Sequence, residues 1–125
     1  MTPAPTTPEK SDLLGTVLSG VCMVHCVSMP ALMSAAPAAA SVLGGFHPVL
    51  LGAVALVALW AFWPGFRVHR RLEVVLLAGL GFSLLAVAAL AFEESVLETV
   101  LSLGGAALMM VAHLRNRALV QAARA

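Results

Sequence analysis

The chain has 125 residues, 61% of them hydrophobic and 10% charged, with a formal net charge of +1 and a mean hydropathy of +0.99. Soluble domains carry roughly 45–50% apolar and about 25% charged residues, so the composition excludes a soluble globule and points to an integral membrane protein with room for one domain. The small net charge says little about partners, and no nucleic acid is expected among them; where the charges lie says more.

Residues 1–11, rich in proline and threonine, read as a disordered lead-in whose composition cannot build a core. Four apolar windows follow, Leu13 to Met33, Val49 to Trp63, Val74 to Phe92 and Val96 to Ala112. Each approaches the ~20 residues that cross a ~30 Å hydrocarbon layer, and the second and fourth need flanking residues to do so. Breaks are expected at the Ala/Pro/Gly-rich stretch Ser34 to Pro48, at Pro64-Gly65 and at Glu93-Glu94. Pro48 suits the first turn of the second span and Pro64-Gly65 its end. The fold class is therefore all-α, an integral membrane four-helix bundle. Its transmembrane domain occupies 12–117, with a cytoplasmic tail at 118–125. A cleaved signal peptide is the rival for the first span; the long polar lead, His25 and Pro30 within the run, and Val21 before Cys22 argue against both it and a lipoprotein signal.

With four spans, Lys10, then Arg67, Arg70 and Arg71, then Arg115, Arg117 and Arg124 fall on one side, and the two remaining loops hold no Lys or Arg. By the positive-inside rule both termini are expected in the cytoplasm, and His47, Glu93 and Glu94 outside. Small residues at Gly79 and Ser83, or along Gly104 to Ala107, are candidates for close helix approach in lipid. No phosphate loop, dinucleotide fingerprint or HExxH motif is present, so no enzyme chemistry is expected.

The chemistry concentrates at Cys22, His25 and Cys26, which include the chain's two cysteines. Two thiols could form a disulfide, a redox pair or metal ligands. Their i, i+4 placement on one helix seldom offers disulfide geometry, and the absence of a Cys-x-x-Cys motif disfavours thiol-disulfide exchange. At about 100° per residue, Asp12, Gly15, Ser19, Cys22 and Cys26 share an arc of roughly 80°, a narrow stripe of small or polar groups. Cys22 lies ~15 Å beyond Asp12, near the bilayer midplane if Asp12 marks the boundary. Two sulfurs one turn apart can accommodate a soft cation, of which Hg(II), with its preference for linear two-sulfur coordination, is the extreme case. His25 sits about 60° around from Cys22 and is a less certain ligand, or a proton acceptor. A single buried cysteine is simply a small hydrophobe. Two, with a histidine between them inside a span, point to function. Pro30, one turn on, is expected to kink or end the first helix.

His69, His113, Asn116 and Asp12 gather at the arginine-bearing side and make a candidate exit region, against the plainer account of interfacial anchoring. On the other side His47, Glu93, Glu94 and Glu98 could attract a cation, although Ser95 to Glu98 also reads as a capping box for the fourth helix. The methionines read as packing.

The run Ser19-x-x-Cys22-x-x-His25-Cys26-x-x-x-Pro30, the His69-Arg70-Arg71 loop, and Glu98-Thr99 followed by Gly104 and His113-x-x-Asn116-x-Arg117 resemble the MerC family of inner-membrane mercury-uptake proteins, and His47 is similar to a family histidine. The resemblance covers nearly everything after residue 11. It implies a four-span protein of the cell inner membrane in which Cys22 and Cys26 receive Hg(II) as transported ion, not as cofactor, on its way to cytoplasmic thiols or a mercuric reductase. Ser19, His47, Asp12, His69, His113 and Asn116 are then candidates for the pathway, and a homo-oligomer is compatible with so thin a bundle. One departure stands out: no thiol follows Cys26, so the handover to a cytoplasmic cysteine pair that the family's usual description includes cannot occur here. The alternative is a membrane thiol or metal sensor, or an accessory subunit, through which nothing passes.

Overall fold

A computed structural model describes residues 7–92 and 95–125, and within them every regular element is a helix: α1 (Thr7–Ala35), α2 (Pro37–Gly44), α3 (His47–His69), α4 (Leu72–Ala91) and α5 (Val96–Ala122). Among the described residues four candidate spans are long and apolar enough to cross a membrane: Glu9–Ala35, Pro37–His69, Leu72–Ala91 and Val96–Ala122. The all-α four-span architecture expected from the sequence is the one observed. Glu93 and Glu94, assigned to a break, lie outside the described residues.

Several boundaries differ from expectation. The lead-in gives way to helix at Thr7, and Ser11 is fully buried, so 7–11 belong to α1. At the other end α5 runs on to Ala122 with Val120 buried, where a separate tail was expected from 118. The break expected between Ser34 and Pro48 falls at Ala36 and again at Gly45-Phe46, and between the two Pro37 starts the short α2. Pro48 does occupy the first turn of α3, where a missing N–H costs nothing. Pro64 does not end that helix, which continues to His69 and stops where Arg70 adopts a left-handed conformation, φ 55° and ψ 22°. Proline is tolerated inside a span because neighbouring helices can satisfy the freed backbone. Pro30 likewise sits inside α1, which continues to Ala35.

Helix α5 is the hub, packed most extensively on α4 and α1 and less on α3, while α1 also packs on α3. The α4–α5 contact is close because it is made by glycines: a Cβ on Gly81 would stand 2.9 Å from the Gly105 carbonyl oxygen, and one on Gly105 2.7 Å from that of Gly81. The expectation for Gly104 to Ala107 is met in Gly105 and Ala106, both buried. Gly79 faces open space and Ser83 is exposed, so the partner on α4 is Gly81, two residues on. Val24, Leu56, Leu59, Trp63, Leu76 and Leu90 are exposed on the outside of the bundle, which is the arrangement a lipid solvent permits. Gln121 Nε2 donates to Glu9 Oε1 at 2.9 Å, so the start of α1 and the end of α5, the chain ends as described, meet at one end of the bundle.

Candidate metal centre

The stripe predicted on α1 is the face α1 buries. Asp12, Gly15, Ser19, Cys22 and Cys26 are all buried, with only Ser11 added. Along it, the Ser19 hydroxyl donates to the Gly15 carbonyl at 2.8 Å and Thr16 to that of Asp12, also at 2.8 Å, so these small polar groups are satisfied by their own helix. Both thiols are free. They border one small void together with His47 of α3 and Ser102 of α5.

Cys26 lies at the floor of a cavity of about 540 Å³ at the end of the bundle away from the chain ends. Its walls come from the last turns of α1, from α2, and from the adjoining ends of α3, α4 and α5, and include Met29, Met33, His47, Glu98 and Ser102. Cys22 does not touch this space; it shares with Cys26, His47 and Ser102 a much smaller void of about 20 Å³ beneath it. Glu98 plays two parts here. Its N–H donates to Ser95 Oγ at 3.1 Å, the backbone half of the expected cap, while its carboxylate lies 3.0 Å from His47 Nδ1. His25 is half-buried with its ring edge-on to that of His47, centroids 5.1 Å apart, and its Nε2 is buried without a hydrogen-bond partner. Among the described residues no three His, Cys, Asp or Glu side chains converge on one point as a metal cage. As a donor set the two sulfurs alone would suffice for a two-coordinate soft cation and fall short of what tetrahedral zinc takes.

The other polar residues named from the sequence assemble at the opposite end. Asp12, His113 and Asn116 are almost completely buried. The Arg71 N–H donates to His69 Nδ1 at 2.9 Å, which puts the His69 proton on Nε2, and that nitrogen donates to Asn116 Oδ1 at 2.8 Å. Asn116 Nδ2 in turn donates to Asp12 Oδ2 at 2.7 Å and to the Ala61 carbonyl at 3.3 Å. His113 Nδ1 donates to Asp12 Oδ1 at 2.9 Å, and its ring stacks on Phe62, centroids 4.5 Å apart. This knot ties α1, α3 and α5 together. Two glycines make room for it: a Cβ on Gly15 would collide with the His113 ring, and one on Gly65 with the Asn116 amide.

A family model described as MerC mercury resistance protein matches residues 12–118, most of the chain. The chain belongs to the MerC family. Membership makes it a membrane protein of mercury resistance, and the span matched takes in both thiols and both polar clusters. No curated protein and no solved structure matches the chain. Ser102, which the sequence offered no reason to single out, is the residue that reading missed. It lies one helical turn beyond Glu98 on α5, the i, i+4 relation that carries a helix face inward.

Proposed function

We propose that this MerC protein takes Hg(II) inward across the cell inner membrane by ligand exchange at Cys22 and Cys26, with both chain ends in the cytoplasm. One observation carries the reading: two free thiols one turn apart, Cys26 on the floor of a chamber open at one end of the bundle and Cys22 just below it. The segregation of every Lys and Arg to the opposite end supports the orientation, with the chamber facing outward.

Capture needs no redox step. An incoming HgX₂ forms one Hg–S bond with each sulfur, each thiol loses its proton, and two HX leave. Release is the reverse exchange with two thiols of an acceptor, which return protons to Cys22 and Cys26. Because this chain has no further cysteine, the acceptor is a cytoplasmic thiol or a mercuric reductase. The bis-thiolate is neutral, so membrane potential, about 2.3 kcal/mol per unit charge per 100 mV, contributes little once the ion is bound.

Cells that express the chain without a reductase should become hypersensitive to mercury, and the double change Cys22→Ser, Cys26→Ser should remove that sensitivity. Unchanged uptake by the double variant would refute the route. A liposome comparison of Hg(II), Cu(I), Cd(II) and Zn(II) identifies the cargo. A second reading, a sensor or accessory subunit, is favoured by a specific feature: below Cys22 the core is filled by Phe62, Ala106 and Met109 and closed by the Asp12 knot. A sensor binds mercury at the same sulfurs yet gives no time-dependent accumulation inside vesicles.

A further inference from the structure

We propose that Met29 and Met33 form a thioether receiving site for soft, thiophilic cations in the chamber above Cys26. The inference deepens the reading of Cys22 and Cys26 as a metal-capturing pair, for which it supplies the approach. Taking about 100° per residue, Cys22, Cys26, Met29 and Met33 fall within an arc of about 60° on α1, in steps of four, three and four residues. They form a ladder of four sulfurs, with rungs about 4.5–6 Å apart along the axis. The ladder exists because α1 does not end at Pro30: the helix runs on to Ala35, which keeps Met33 in register with the thiols. Met29, Met33 and Cys26 all line the same 540 Å³ chamber.

Packing does not account for the two methionines. Met109 is fully buried in the core and Met23 is packed against it, the ordinary use of a flexible apolar side chain. Met29 and Met33 belong to neither group. They border open space, and Met33 is 41% exposed. A thioether carries no proton, so it binds a cation without having to release one. It prefers Cu(I), Ag(I) and Hg(II) over Zn(II), Mg(II) or Ca(II). Its unbranched stem lets the sulfur follow an ion. Such a site holds a soft cation weakly at the entrance and passes it down to thiols that bind it more tightly.

The test uses Ag(I) and the Cys22→Ser, Cys26→Ser protein in detergent, so that no thiol contributes and the outcome is independent of whether the thiols carry mercury. Silver is expected to shift the methyl NMR signals of Met29 and Met33 and leave those of Met23, Met109 and Met110 in place. Adding the volume-conserving changes Met29→Leu and Met33→Leu should weaken silver binding about tenfold or more. Unmoved Met29 and Met33 signals, or equal silver binding by the two proteins, would overturn the proposal. In the chain with both cysteines, Met29→Leu/Met33→Leu should slow capture of limiting Hg(II) while leaving the amount finally bound unchanged. An unaltered capture rate counts against the receiving site, whereas failure of both proteins to bind mercury at all counts against the thiol reading instead.

Discussion

The two ends of the bundle use the same chemical pair to opposite effect. Each holds a buried carboxylate next to a histidine from another helix, Asp12 with His113 at 2.9 Å and Glu98 with His47 at 3.0 Å. At the end where the chain ends meet, the pair's side chains are 0–1% exposed and belong to a closed hydrogen-bonded knot. At the other end they are 11% and 25% exposed and form part of a chamber wall above two thiols. The surroundings decide between these roles. Glycines at 15 and 65 let helices close over the first pair, whereas prolines at 30, 37 and 48 and the short α2 surround the second, where the helices leave a chamber. One end stitches the bundle; the other receives.

The largest contrast should appear in stability. Asp12→Ala strands His113 Nδ1 and one Asn116 amide proton in a buried site, and breaking a buried, hydrogen-bonded pair costs about 3–5 kcal/mol. Glu98→Ala leaves the Ser95 cap intact, because that bond uses the Glu98 backbone N–H, and removes the contact with His47, an interhelical interaction of a kind worth about 1 kcal/mol or less in a membrane bundle. Unfolding in detergent should therefore separate the two variants clearly. Equal losses would mean that the knot is no more of a structural stitch than the chamber wall.

The closed end was largely legible in the sequence, since periodicity alone put Asp12, Gly15, Ser19, Cys22 and Cys26 on one face, and charge segregation put Asp12, His69, His113 and Asn116 at one end. What periodicity could not supply was register between helices. It offered Gly79 where Gly81 meets Gly105, because two small residues on one apolar helix look alike until a partner selects between them. A breaker residue misled for a related reason. Pro64 would end a helix in water but persists in a span, where adjoining helices can answer the freed carbonyl. Ser102 was silent because a lone serine in an apolar helix has no signal of its own. Glu98 was read as a cap from local spacing, and its side-chain partner, 51 residues away in the chain, was beyond any local rule.

Glycine substitutions sharpen the comparison at an intermediate scale. Gly65→Ala drives a methyl into an Asn116 side chain already fixed by Asp12, His69 and Ala61. Overpacking of this kind costs about 1–3 kcal/mol. Gly79→Ala meets nothing within 4 Å and should be neutral or slightly stabilising, since alanine is the better helix former by about 1 kcal/mol. A measurable loss at Gly79, or none at Gly65, would show that the knot can yield and that its glycines are not spacing it.

The smallest predicted difference lies between the thiols themselves, and there the two ends meet. By exposure alone Cys22 should react slightly faster, at 8% against 5% for Cys26. Only Cys26 borders the large chamber, however, and the void beside Cys22, about 20 Å³, has room for little more than one water. Access for a water-borne reagent is set by the path and not by residual surface facing lipid. A hydrophilic maleimide added to the chamber side should therefore label Cys26 in the Cys22→Ser protein about tenfold faster than Cys22 in the Cys26→Ser protein, reagent access being what selects between thiols of one helix. Labelling from the side of the chain ends should be slow for both, because the Asp12 knot lies across that route. Fast labelling of Cys22 from that side would show that the knot opens readily, and the division of the bundle into a sealed end and a receiving end would not hold.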